Sequence, residues 1–169
     1  GILQENIPVG AFLLSKYSVG FDALMHFYAR TETYEEYTLK NAVDGHFKNY
    51  GIDLPFYVSS SQGNFDFDIP ERHQGITITL PGFYGPQGRN LHAAIKFPDF
   101  LNNLNTLQFG ELNVVNFEME CSGVFAMSAL LGHECATVCV GLANRITGQF
   151  IKDPADRMQK LIEETLEVI

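Results

Sequence analysis

The chain has 169 residues and is 46% hydrophobic, enough to bury one core and too short to suggest two, so a single domain over 1–169 is expected. A formal charge of -9 and a pI near 4.9 argue against a nucleic-acid surface, which needs a basic stripe to release counterions. No apolar stretch approaches the roughly 20 residues that span a bilayer, so a cytoplasmic protein with no nucleic-acid or membrane partner is expected.

In chain order, residues 9–17 follow Pro8 and are rich in Val, Phe and Leu, the pattern of a buried strand. Residues 26–29 read as another. Thr33 and Glu36 have capping-box spacing, and Leu39, Val43 and Phe47 recur every four residues before Gly51, which predicts an amphipathic helix over 33–50. Strands are expected at 56–59 and 75–79. Pro98 and Asp99 open a short helix with Phe100, Leu101, Leu104 and Leu107 on one side. Residues 113–116 suggest a strand, 122–131 a tightly packed helix stopped by Gly132, and 135–142 a strand buried on both faces. Asp153 and Pro154 start a last helix with Met158, Leu161, Ile162 and Leu166 inward. Alternating strands and helices predict a three-layer α/β/α sandwich, with ligands at the carboxyl ends of its strands. The segments expected to converge there are the turn after Leu80, the stretch after Asn116, and residues 143–145.

Each of those segments carries unusual polar residues. GFYGPQGR, residues 82–89, has neither the GK[ST] ending nor the GxGxxG spacing of a phosphate cradle. Its Gln87 offers a donor and an acceptor, Arg89 only donors, and Phe83 or Tyr84 a ring face, which suits a flat polar heterocycle; a β-turn needed only for its shape reads equally well. Glu118 and Glu120 flank Met119 where a strand meets a helix. They suit vicinal hydroxyls, with the thioether against a sugar's apolar face, or merely the positive end of a helix dipole. GLANR, residues 141–145, is a polar tail on an apolar strand or a solvated turn. Cys121, Cys135 and Cys139 are an odd set without a C-x-x-C, as reduced thiols would be. No metal site is expected: His133, Cys135 and Cys139 meet no zinc spacing and read better as part of a packed strand. Cys121 has no identifiable base and reads as a packed small residue.

Together, IPVGAFLLSKYSVGFDALMHFYA, GFYGPQGR and NFEMECSGVFAMSALLGHECATVCVGLANR resemble the nucleoside phosphorylase superfamily, and within it the uridine phosphorylases, in order over nearly the whole chain. The most specific part is F-Y-x-x-Q-x-R. The resemblance implies a base site in which Gln87 pairs with N3–H and O2 of uracil, Arg89 donates to O4 and Phe83 lies against the ring. Leu142, Ala143 and Arg145 match the segment that closes this pocket. The E-M-E pattern implies a ribose site with Glu120 and Met119 at the 2′ and 3′ hydroxyls and Glu118 alongside. Purine-specific members carry an Asp after a Ser where Ala143 and Asn144 stand here, which favours a pyrimidine. The physics agrees: a departing base gathers negative charge, which fixed donors stabilise, and a permanently cationic planar guanidinium suits O4. A delocalised leaving anion needs no general acid.

The implied reaction is phosphorolysis of uridine to uracil and ribose 1-phosphate, a pentosyl transfer of nucleoside catabolism and pyrimidine salvage. Inorganic phosphate is the implied co-substrate, with no cofactor, and the implied assembly is a homo-oligomer, a dimer or a trimer of dimers. The family's phosphate-binding arginines and G-T-x-G loop belong to its N-terminal half, whereas this chain opens on Gly1-Ile2-Leu3 without an initiating Met. The phosphate-binding residues are therefore expected upstream of Gly1. The chain reads as the C-terminal part of a phosphorylase domain, with the α/β/α sandwich incomplete at its N-terminus. Alternatives are a phosphorylase of other base preference, a nucleosidase using water, and an inactive nucleoside-binding fragment.

Overall fold

The computed structural model describes residues 1–63, 69 and 72–167. Its central strand is β1 (Phe12–Gly20), buried throughout except at Lys16, as a strand covered on both faces must be. Along one edge β1 pairs in parallel with β3 (Arg72–Thr79), which pairs in parallel with β5 (Leu112–Glu118). A two-residue strand, β4 (Gln108–Phe109), closes that side antiparallel to β5. On its other edge β1 holds β2 (Tyr57–Ser60) along its second half and β6 (Val138–Val140) along its first, both antiparallel. Ile2 bridges Asn116 of β5 and Asn144 beyond β6, so the sheet curls back on itself.

Helices pack on both faces of this curled sheet, giving the α/β/α arrangement. Helix α1 (Tyr34–Lys48) buries Leu39, Val43 and Phe47, as its four-residue repeat predicts, and with Phe100 and Leu104 of α2 (Phe100–Asn105) covers Tyr17, Val19, Ile76 and Ile78. Burying each such large side chain stabilises by about 1.5–3 kcal/mol. The predicted capping box is present: Glu36 N–H donates to Thr33 Oγ1 and Thr33 N–H donates back to Glu36 Oε2. Glu36 is wholly buried, its charge paired with Arg30 at 3.0 Å and with the Ser60 hydroxyl at 2.8 Å. Helix α3 (Cys121–Leu131) lies on the opposite face, over Ser18, Ser59 and Thr79, and stops at Gly132 in the left-handed region.

Several expectations fail locally. Residues 26–29 form no strand: Ala23 takes φ 65 and starts a 3₁₀ turn over Leu24–Phe27. The apolar run 135–142 yields only the three-residue β6, half-buried and antiparallel to β1, because its first residue, Cys135, bridges Gln62 outside the strand and Ala143, just past its end, bridges Phe150. Helix α4 (Pro154–Leu166) starts at Pro154 as expected, yet Asp153 makes no side-chain cap. Of its four expected inward residues only Leu161 is buried, against Phe12, Leu14 and Val140; Met158, Ile162 and Leu166 are exposed. Leu107 is buried as expected but lies beyond α2 rather than within it. Among the described residues no helix is long and apolar enough to cross a membrane.

Candidate functional site

The parallel strands β3 and β5 end together, with Thr79 opposite Glu118. From Thr79 the chain enters the turn 82–89, and from Glu118 it enters α3. Two rows of polar side chains run beneath this edge on the α3 face. Ser15, Thr77 and Asn116 form one, at 2.6 and 2.8 Å; Ser18, Thr79 and Glu118 form the other, at 3.2 and 2.6 Å. Ser15 and Ser18 are three residues apart and would face opposite ways in a regular strand. A β-bulge between Ser15 and Tyr17 inserts one residue and brings both hydroxyls to the same face. Sequence reasoning misses these residues because that bulge breaks the two-residue period; the alternation of Ile and Thr over 76–79 is the signal that could have found them.

Glu118 is fully engaged. One carboxylate oxygen accepts from Thr79 Oγ1, and the other accepts from the N–H groups of Glu120 and Cys121, both at 2.7 Å. It therefore caps the amino end of α3, whose own cap residue Glu120 makes no such bond. Burial pushes the Glu118 carboxyl above its ordinary value; the Thr79 hydroxyl and the two backbone donors pull the other way, and the Glu120 charge adds to the rise. Met119 and Glu120 project outward, Met119 two-fifths exposed. The acid of this junction that is open to a ligand is Glu120.

The turn 82–89 is built differently. A 3₁₀ turn over Gly85–Gln87, with Pro86 inside and Gly88 at φ 69, folds the segment so that Gln87 is buried while Phe83 and Tyr84 stay half exposed. Arg89 lies with its guanidinium carbon 3.7 Å from the Phe83 ring centroid, and its Nη1 donates to Phe83 O and Gln87 Oε1. The ring face expected to take a base is thus covered by the arginine expected to bind that base. An apolar cavity of about 360 Å³ lies behind the turn, among Phe21, Leu80, Pro86 and Phe100. A larger cavity, about 790 Å³, lies between Gly10 and the first turns of α4 and is lined by none of these polar groups.

The third segment arrives by another route than a strand's carboxyl end. Since β6 is antiparallel to β1, residues 143–145 are carried to the β5 side by the bridge through Ile2. Arg145 then reaches the turn, its Nη2 donating to Gln87 O at 3.2 Å and its guanidinium lying 5.6 Å from the Phe117 ring centroid. Its Nη1 is buried and has no partner among the described residues. Burial, then the Arg89 charge, lowers the Arg145 pKa. Leu142 is exposed and Ala143 half-buried; the carbonyl of Ala143 accepts from Ile2 N–H at 2.7 Å. The side chain of Asn144 is saturated: its amide donates to Gln4 O and Ile7 O, and its oxygen accepts from Ile146 and Thr147 N–H. Gln87, Arg89 and Arg145 are thus brought together beside Phe83, and Glu118 to Glu120 lie one strand away, joined through Leu80 N–H to Glu118 O at 2.9 Å. The Cys121 thiol is buried and its pKa pushed up to about 12, as expected of a packed residue and not of a nucleophile.

Comparison with known proteins agrees with this fold. The family model of the phosphorylase superfamily matches residues 1–168. A uridine phosphorylase of Thermococcus kodakarensis is 26% identical over all of this chain, which covers 54% of that relative. A Trypanosoma brucei nucleoside phosphorylase, described as showing uridine phosphorylase activity, superposes with a TM-score of 0.85 at 24% identity, over 99% of this chain and 60% of its own. A uridine phosphorylase structure from the oomycete Phytophthora capsici superposes at 0.56 with 17% identity, over 95% of this chain and 58% of its own. The chain thus spans a little over half the length of these relatives. With its curled sheet, the layers of helices and a family match over nearly every residue, the chain belongs to the phosphorylase superfamily.

Proposed function

We propose that the protein to which this chain belongs is a uridine phosphorylase and that the chain carries its base and ribose subsites. The observation that carries this reading is the meeting of Gln87, Arg89 and Arg145 at one turn, adjacent to the Met119–Glu120 junction; the similarity to a uridine phosphorylase supports it. A uracil edge would replace the bond that Arg89 now makes to Gln87 Oε1, freeing the amide for N3–H and O2 and the guanidinium for O4. Moving Arg89 off Phe83 would open the ring face to the base. Two guanidinium groups then face the charge that develops as the glycosidic bond breaks, and Nη1 of Arg145, without a partner among the described residues, is a donor ready to be used. Glu120 and Met119 hold the ribose hydroxyls, with Glu118 behind them. Asn144 has no group left to donate to a base, which suits a pyrimidine whose anion leaves without an acid.

Inorganic phosphate is the proposed co-substrate and a homo-oligomer, dimer or trimer of dimers, the proposed assembly. Uracil formation from uridine, followed by ultraviolet absorbance with and without phosphate, tests the reading. Phosphate-dependent release by the protein that contains this chain is expected. Release without phosphate would instead indicate a nucleosidase, and turnover of inosine in preference to uridine would overturn the pyrimidine assignment.

A further inference from the structure

Thr79 stands where three elements meet, and its single hydroxyl proton has one destination. Ser122 N–H, in the first turn of α3, donates to Thr79 Oγ1 at 2.9 Å, which uses a lone pair. The remaining close partners are Glu118 Oε1 at 2.6 Å and Ser18 Oγ at 3.2 Å. A carboxylate is the stronger acceptor and the shorter contact, so the Thr79 proton goes to Glu118 and Ser18 donates into Thr79. With Glu118 ionised the chain runs Ser18 to Thr79 to Glu118 Oε1, while Glu120 and Cys121 N–H fill the other carboxylate oxygen. A proton on Glu118 Oε1 would reverse the chain, with Glu118 donating to Thr79 and Thr79 to Ser18, so the donation from Thr79 is specific to the carboxylate form.

We infer that Thr79 is a positioning residue for the sugar side of the site: it fixes the Glu118 carboxylate, and through it the Met119–Glu120 turn, in the orientation that presents Glu120 to a ligand. This rests on the ribose assignment above and adds to it a residue of β3 that touches no ligand. Thr79 is wholly buried, so its hydroxyl has no exchange with water to compensate its loss. The charged or titratable groups facing Glu118 are Glu120 from the α3 cap, the Cys121 thiol from α3, the Cys139 thiol from β6 and, in the 169-residue chain used for the test, the amino group of Gly1. Both thiols are pushed up by burial, to about 12 and about 11, and stay neutral near pH 7. Glu120 is the acidic neighbour whose charge adds to the rise at Glu118.

The test is a carboxyl-carbon NMR titration of the 169-residue chain labelled at Glu, with Glu118 assigned by E118Q. Thr79→Val should move the Glu118 midpoint upward, Thr79→Ser should return it, and Ser18→Ala should move it the same way by less. Uridine titrated into the same proteins should bind about tenfold more weakly to T79V, the cost of a lost hydrogen bond to a charged group, and normally to T79S. An unmoved Glu118 midpoint in T79V, or failure of T79S to restore it, overturns the proposal. A moved midpoint with unchanged uridine binding overturns its link to the sugar site. No uridine binding by the unsubstituted chain would overturn the ribose assignment instead, while the titration still decides the role of Thr79. If T79V loses its helical circular dichroism, S18A decides the question in its place, since it removes a donor to Thr79 and leaves the cap of α3 intact: an upward shift supports the proposal and an unmoved midpoint overturns it.

Discussion

The two halves of the site are held in opposite ways. On the proposed sugar side, Glu118 is fixed by a β3 hydroxyl and by two N–H groups at the start of α3, and its partners belong to a strand and a helix terminus. On the proposed base side, Gln87 and Arg89 sit on a short turn and hold mainly each other, with Phe83 and Arg145 completing the set. A group held by regular structure keeps its geometry when a ligand arrives; groups that satisfy one another must first let go. On the proposed assignment the sugar side is therefore preorganised, and the base side would have to open before binding.

The largest effect should come from the anchor beneath Arg145. Asn144→Asp would turn a buried carboxylate toward Gln4 O and Ile7 O, two acceptors, with a loss of about 3 kcal/mol or more in chemical unfolding. On the sugar side, Glu118→Ala leaves two N–H groups of the α3 start and the Thr79 hydroxyl without their acceptor, and should cost about 2 kcal/mol by the same assay. A smaller effect concerns pH. Burial raises the folded-state pKa of Glu118, so the folded protein binds more protons than the unfolded chain between the ordinary carboxylate value and the raised one. Its contribution to stability is complete below that window and is lost as pH rises through it. Denaturation series across pH should show this slope in the unsubstituted chain and lose it in E118Q. Least costly to stability is Arg89→Ala, within about 0.5 kcal/mol for a turn residue, although it should abolish uridine binding. A stability loss in R89A as large as that in E118A would remove the distinction between the two halves.

How much of this can be read from the sequence differs by element. Helix α1 is legible because its capping box and four-residue repeat are local, and Gly132 stops α3 for an equally local reason. Residues 26–29 mislead because Ala23 adopts a left-handed backbone that its sequence does not announce. The apolar run 135–142 and the outward side chains of α4 show the limit of counting hydrophobic residues: their exposure depends on neighbours that pairing alone decides. In the site, Gln87, Arg89 and Glu118 are legible by type. Their engagement is not, since Arg89 over Phe83 and the hydroxyl row under Glu118 depend on a turn conformation and a one-residue bulge.

The most direct measurement is calorimetric titration of uridine into the 169-residue chain and into its Gln87→Ala variant. Weak binding that disappears in Q87A is the predicted result, because the turn 82–89 is the proposed reader of the base. Binding that is equally strong in Q87A would contradict the account, since the base would then be held somewhere other than this turn.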